Sequence, residues 1–128
     1  MSLQNQWSDP AYALLRFVAG LLFACHGAQK LLGALGGQKV SGAFMTTGGV
    51  VELVGGALIA VGLLTNVAAF LASGEMAVAY FKAHAPHGFW PIENKGELAV
   101  IYCFLFLFIA VAGSGRFGVD AMFHRKTR

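Results

Sequence analysis

The stretch GGVVELVGGALIAVG, residues 48–62, is oily enough for a membrane interior yet carries one carboxylate, Glu52. Gly48 and Gly49 precede that acid, and Gly55 and Gly56 follow it. On a helix, Gly48, Gly55 and Gly56 share the face of Glu52. An ionised side chain facing hydrocarbon costs about 2.5–3.5 kcal/mol on insertion scales, so Glu52 is expected to face other helices. Residues without bulk are what allow membrane helices to approach closely, because no hydrophobic force between helices compensates for poor packing there. The stretch therefore predicts a packed helix seam with an acid in it.

Composition supports a membrane setting for that seam. The 128 residues are 57% hydrophobic and 12% charged, with a mean hydropathy of +0.66. A soluble domain has about 45–50% apolar and about 25% charged residues, so this chain lacks the polar surface to cover a water-soluble globule. The net charge of +3 does not indicate nucleic acid. Four of the nine basic residues, Arg116, Arg125, Lys126 and Arg128, lie in a short tail after an apolar run, which is the pattern of a topology signal. The N-terminus lacks a basic signal-peptide region, so the first apolar run is expected to be retained. Cys25 and Cys103 form no C-x-x-C pair and read as free thiols.

Outward from the quoted stretch, four apolar segments are expected to span, at about residues 11–32, 47–64, 66–83 and 97–112. Each approaches the ~20 residues needed to cross hydrocarbon, and the short fourth one calls for tilt or local thinning. Asp9 is the expected N-cap of the first, with Pro10 in its first turn. The link at 64–66 permits only a tight antiparallel turn. The fold class is all-α: a single domain over 1–128, forming an antiparallel transmembrane four-helix bundle with both termini on one side. The basic tail places the termini in the cytoplasm of a multi-pass bacterial cytoplasmic (inner) membrane protein, with the two longer loops facing outward.

With that topology, a rise of about 1.5 Å per residue puts Glu52 about 7 Å, His26 about 9 Å and Glu75 about 12 Å below the outer surface. Lys30, Gln29, Lys82 and Glu97 lie nearer that surface. Three spans thus contribute ionisable groups to one layer. His26, Lys30, Glu52, Glu75 and Glu97 are the candidates for a ligand- or proton-handling pocket, and hydrogen bonding between helices is the competing role for them. Arg16, near the inner end of the first segment, is expected to snorkel to the headgroups. The run FLFLF (104–108) reads as lipid-facing or core surface. In the outer loop, HAPHGFWPIENKGEL (84–98), the candidates are His84, His87 and Trp90. Two histidines at i, i+3 do not define a metal site, and Phe89-Trp90 suits the membrane interface.

The chain resembles the DoxX family of membrane proteins. The resemblance is carried by HGAQKL (26–31), GGVVELVGG (48–56), GLLTNVAA (62–69), HGFWPIENKGELA (87–99) and GSGRFGVD (113–120). It implies a compact four-helix membrane bundle and an association with redox metabolism, in the company of a terminal quinol oxidase, thiosulfate:quinone oxidoreductase subunits and thiol stress. It transfers no catalytic set. Three functional readings follow. One is a protein of respiratory metabolism holding a quinone or other small ligand in the polar layer, where His26 and Glu52 exchange protons. The second is a non-catalytic accessory or scaffold subunit of a larger membrane complex. The third is a small-molecule or proton-coupled transporter. The expected partners are the lipid bilayer and either a membrane complex or further copies of the chain, and not nucleic acid.

Overall fold

In the computed structural model, which describes residues 3–126, every regular element is helical. α1 covers Leu3–Leu32. α2 covers Ala43–Val61 and contains one π-helical turn, Val51–Gly55. α3 covers Thr65–Ala79 and runs on through a second π turn, Tyr80–His84, into a 3-10 turn, Ala85–His87. A short α4, Pro91–Asn94, precedes α5, Glu97–Ala112, and α6, Val119–Lys126, follows. The bounds of α5 match the sequence reading, whereas α4, α6 and both π turns have no counterpart in it.

The start of α1 differs from expectation. The helix begins at Leu3 and Pro10 lies inside it, so Asp9 is no N-cap. Proline removes a single i→i−4 hydrogen bond, and here the deprived carbonyl belongs to Gln6, an exposed residue of the opening turns. Lengthening the helix past that one defect keeps all the other bonds.

α1 and α2 touch backbone to backbone. A Cβ placed on Gly20 would lie 2.5 Å from the Ala60 nitrogen and 2.6 Å from the Gly56 oxygen. One on Gly56 would lie 2.5 Å from the Ala24 nitrogen, and one on Gly27 would overlap the nitrogen of Leu53. Gly55 instead faces the Ala68 carbonyl of α3. The glycines around Glu52 thus serve different neighbours. α3 buries Ala68, Ala69, Ala72 and Ser73, and packs on α5, where the Ser73 hydroxyl donates to the Cys103 carbonyl at 2.7 Å. Phe23 of α1 closes the core against Phe106 and Tyr102 of α5, with ring centroids 4.7 and 5.4 Å away.

The outer faces are apolar. Leu14, Leu22, Phe70, Phe104 and Val111 are all more than half exposed. Two helical stretches, Gln6–Leu32 and Ala43–Val61, are long and apolar enough to cross a membrane, and only 28% and 39% of their most apolar windows are buried within the protein. A helix of a soluble core would be buried instead; these turn their oil outward. Of the FLFLF run, Phe104 and Phe108 face out while Phe106 is fully buried.

The opposite end from Glu52 is tied together by polar groups. α2 ends at Gly62, which is left-handed (φ 78°) and bonds its N–H to the Leu58 carbonyl at 2.8 Å. Arg16 does not snorkel. It is 3% exposed, and its Nη1 donates to the carbonyls of Ile59 and Ala60 at 2.8 and 2.9 Å. At this C-terminal end of α2 carbonyls run short of helical partners, although that of Ile59 also accepts the Gly62 N–H at 3.2 Å, and a cation there meets the negative end of the helix dipole. The hydroxyl of Tyr12 donates to the Gly113 carbonyl at 2.7 Å. Asp120 of α6 accepts the N–H groups of Leu64 and Thr65 at 2.9 and 3.0 Å, capping α3 from a distance.

Two predictions follow from this packing. Gly56→Val forces α1 and α2 apart and should lower the thermal midpoint sharply, an overpacking cost of at least about 1–3 kcal/mol. Gly74→Ala, where an added Cβ meets nothing within 4 Å, should leave the midpoint within a degree or two or raise it. Equal effects of the two would contradict the seam. The second concerns Asp120. Partial burial alone raises its pKa, but the N–H bonds from Thr65 and Leu64, helped by His124, outweigh burial and hold the carboxyl below its ordinary value. The resulting stability is complete above the unfolded carboxyl value of about 3.9 and is lost as pH falls through the lower folded value. Asp120→Ala should therefore cost about 1 kcal/mol at neutral pH. Its deficit should narrow on acidification through that window, as followed by thermal unfolding in detergent.

Candidate functional site

The end of the molecule away from Asp120 holds a cavity of about 300 Å³ between α1, α2, α3 and α5. Its chemistry follows from how each helix delivers a polar side chain. Lys30 comes from the last turn of α1 and Glu52 from the π turn of α2. Their Nζ and Oε2 atoms form an ion pair at 2.6 Å, with the glutamate side chain 3% exposed and the lysine 25%. A carboxylate that deep requires such a partner, since an isolated buried charge is expensive. The backbone contact at Gly27 and Leu53 brings the two helices close enough for it.

Glu75 of α3 reaches the same place. A Cβ on Gly48 would sit 2.9 Å from Glu75 Oε1 and 3.6 Å from Glu52 Oε2, so the absence of a side chain at 48 leaves room for both acids. Glu75 Oε2 is buried with no hydrogen-bond partner. The charges of Glu52 and Lys30 both act on Glu75. One ammonium thus stands beside two carboxyl groups, and one of these, Glu75, lines the cavity and keeps a buried oxygen without a hydrogen-bond partner.

His26 lines the cavity one turn before Lys30, its ring edge-on to Tyr102 with centroids 6.2 Å apart at 87°. Neither of its ring nitrogens makes a hydrogen bond among the described residues. Phe23 and Tyr102 form the apolar floor, and Phe44, Lys82, Lys95 and Leu98 line the exposed rim. The Lys82 ammonium rests 4.1 Å over the Phe44 ring.

Of the sequence candidates, His26, Lys30, Glu52 and Glu75 come together at this cavity, and His84 joins its wall. Glu97 does not; it is exposed in the first turn of α5, outside the lining, where an acid complements the helix dipole. His87 and Trp90 also lie outside the lining, and Trp90 stacks edge-on against Phe89 at 5.1 Å. The loop carrying them is organised by Asn94, a buried residue that the sequence reading passed over. Its amide donates to Tyr80 Oη and to the Gly88 carbonyl, each at 3.0 Å, and its Oδ1 accepts the Gly96 N–H at 2.8 Å. His84 Nδ1 bonds the Asn94 carbonyl at 3.1 Å, which fixes that ring at the cavity wall.

Tyr102, Lys95 and Phe44 were missed as lining residues as well. Tyr102 carries the only hydroxyl in α5, a signal that could have been read. Lys95 and Phe44 depend on how their flanking loops fold, which no local spacing encodes. Both π turns border the cavity, one holding Glu52 and the other Lys82 and His84. A π turn takes one extra residue and re-aims the side chains around it, and such turns concentrate at functional sites.

Apolar outward faces around a cavity lined with charged side chains define a helical membrane protein with an internal polar site. It belongs to the DoxX family, whose model matches residues 11–85, from α1 to the 3-10 turn after α3. An uncharacterized protein of Haemophilus influenzae is 42% identical over 122 residues, covering 89% of this chain and 91% of the relative. An uncharacterized membrane protein of Mycobacterium tuberculosis is 28% identical over 130 aligned positions, covering 87% of this chain and 80% of the relative. No solved structure matches the chain.

The ion pair generates a specific prediction. Lys30→Met leaves Glu52 buried without its counter-charge and should cost about 3–5 kcal/mol of stability. Removing both charges in Lys30→Met/Glu52→Leu should cost far less than the sum of the single changes. A double-mutant cycle on unfolding free energies in detergent micelles checks this, and additive effects would show that the two groups do not pair.

Proposed function

We propose that this chain is a four-span protein of the bacterial cytoplasmic membrane that holds a small redox-linked ligand of the quinone kind in an outward-facing pocket and exchanges protons with it. In this reading α3 with its π extension and α5 complete the set of spans begun by α1 and α2, in an antiparallel bundle. The basic residues Arg116, Arg125, Lys126 and Arg128 keep both termini cytoplasmic. The observation that carries the proposal is the buried, partnerless Glu75 Oε2 beside the Lys30–Glu52 pair at the wall of a cavity with aromatic sides.

A cavity of about 300 Å³ holds a single-ring molecule, at the small end of the range for ligand sites. A ring slots between Phe23, Phe44 and Tyr102. Glu75 offers a proton to a quinone carbonyl oxygen or an acceptor to the O–H of the reduced quinol, and His26 relays protons toward the rim. Reduction of a quinone takes up two electrons and two protons; this chain's residues supply the proton route, and a redox partner in the membrane supplies the electrons. A role in a larger complex is thus part of the same reading.

Titration of nanodisc-embedded protein with duroquinone, followed calorimetrically, tests the proposal. Wild type should bind, and Glu75→Gln should weaken binding by at least tenfold while leaving the thermal midpoint in place. Absence of binding, or equal affinity in Glu75→Gln, would refute it.

A further inference from the structure

The cavity is sorted by charge from floor to rim. Its deep acid is Glu52, 2% exposed, among Phe23 and Tyr102, which are 0% and 6% exposed. Glu75 adds a second carboxyl at that level, and Lys30 balances one of the two. At the rim the sign reverses. Lys82 and Lys95, both exposed, line the opening from two different segments, the π turn after α3 and the left-handed residue after α4. Neither makes an ion pair among the described residues. Lys82 is held over Phe44 by a cation–π contact, which leaves its ammonium with no anionic partner of its own. The backbone of Lys95 adopts φ 64°, a conformation uncommon for a residue with a side chain, and the Asn94 network around it holds the turn.

We infer that the pocket takes an amphipathic monoanion: a molecule whose ionised acidic group docks between Lys82 and Lys95 at the rim while its neutral body and a hydrogen-bonding group reach toward Glu75 and His26. Two cations at a partly apolar mouth attract an anion and fix its charged end there, where the ammonium groups stay hydrated and free to pair. The one cation at the floor, Lys30, is already paired with Glu52, so an anion finds its free cations only at the rim and enters one way round. The rim also explains Phe44, whose ring meets both the lysine and the body of the ligand. This inference rests on the proposed ligand pocket but not on the ligand being a quinone.

The test uses 4-fluorobenzoate and its uncharged counterpart 4-fluorobenzyl alcohol as probes of nanodisc-embedded protein, observed by fluorine NMR against empty nanodiscs. The benzoate should bind at least fivefold more tightly than the alcohol, and added salt should weaken the benzoate selectively. Lys82→Gln/Lys95→Gln should abolish the preference, while Lys39→Gln, a lysine outside the cavity lining, should leave it intact. Equal binding of the two probes, binding of neither, or a preference unchanged in the Lys82/Lys95 variant would each overturn the inference. Benzoate selectivity in a protein that ignores duroquinone upholds it and removes only the quinone reading. Duroquinone binding that depends on Glu75, without benzoate selectivity, does the reverse.

Discussion

Everything distinctive in this protein depends on backbone contact between α1 and α2. Gly20, Ala24 and Gly27 on one helix meet Gly49, Gly56 and Ala60 on the other with no side chain thick enough to hold them apart. That closeness brings the end of α1 beside the π turn of α2, where the Lys30 ammonium can reach Glu52. Without the pair, Glu52 would be an uncompensated charge in an apolar environment, a state a membrane helix does not tolerate. The glycines, which weaken a helix taken alone, therefore serve tertiary packing.

The two ends of the molecule solve the same electrostatic problem in different ways. At the Gly62 end, Arg16 and Asp120 pair with backbone groups: the guanidinium takes up carbonyls at the end of α2, and the carboxylate takes up N–H groups at the start of α3. Those charges cap helices, with Arg16 Nε left buried and unpartnered among the described residues. At the cavity end the charges of Lys30 and Glu52 meet one another, and Glu75 Oε2 is left buried without a hydrogen-bond partner among the described residues.

Much of this was legible in the sequence, for identifiable reasons. Helix positions follow from apolar runs, so α5 appears at its observed bounds. The glycine pattern around Glu52 reads directly as a close seam. Common depth sufficed to group His26, Lys30, Glu52 and Glu75, because helical rise converts sequence position into height. Depth gives no azimuth, however, and Glu97, nearer the outer surface, is exposed and outside the cavity lining. Arg16 was misjudged because a long cation near a helix end fits both snorkelling and capping, and only the position of the next helix end decides between them. The left-handed turn at Lys95, the Asn94 hub and the π turns arise from tertiary fit, so the rim they build had no local signature.

The proposed function turns on one event, the exchange of a proton between Glu75 and a ligand in the pocket. Infrared difference spectroscopy on nanodisc-embedded protein, recorded as bound duroquinone is reduced and reoxidised electrochemically, observes that carboxyl directly. A carboxyl C=O band should appear or shift with the redox state, move in deuterated water and disappear in Glu75→Gln. A difference spectrum with no carboxyl band, or one unchanged by Glu75→Gln, would contradict it.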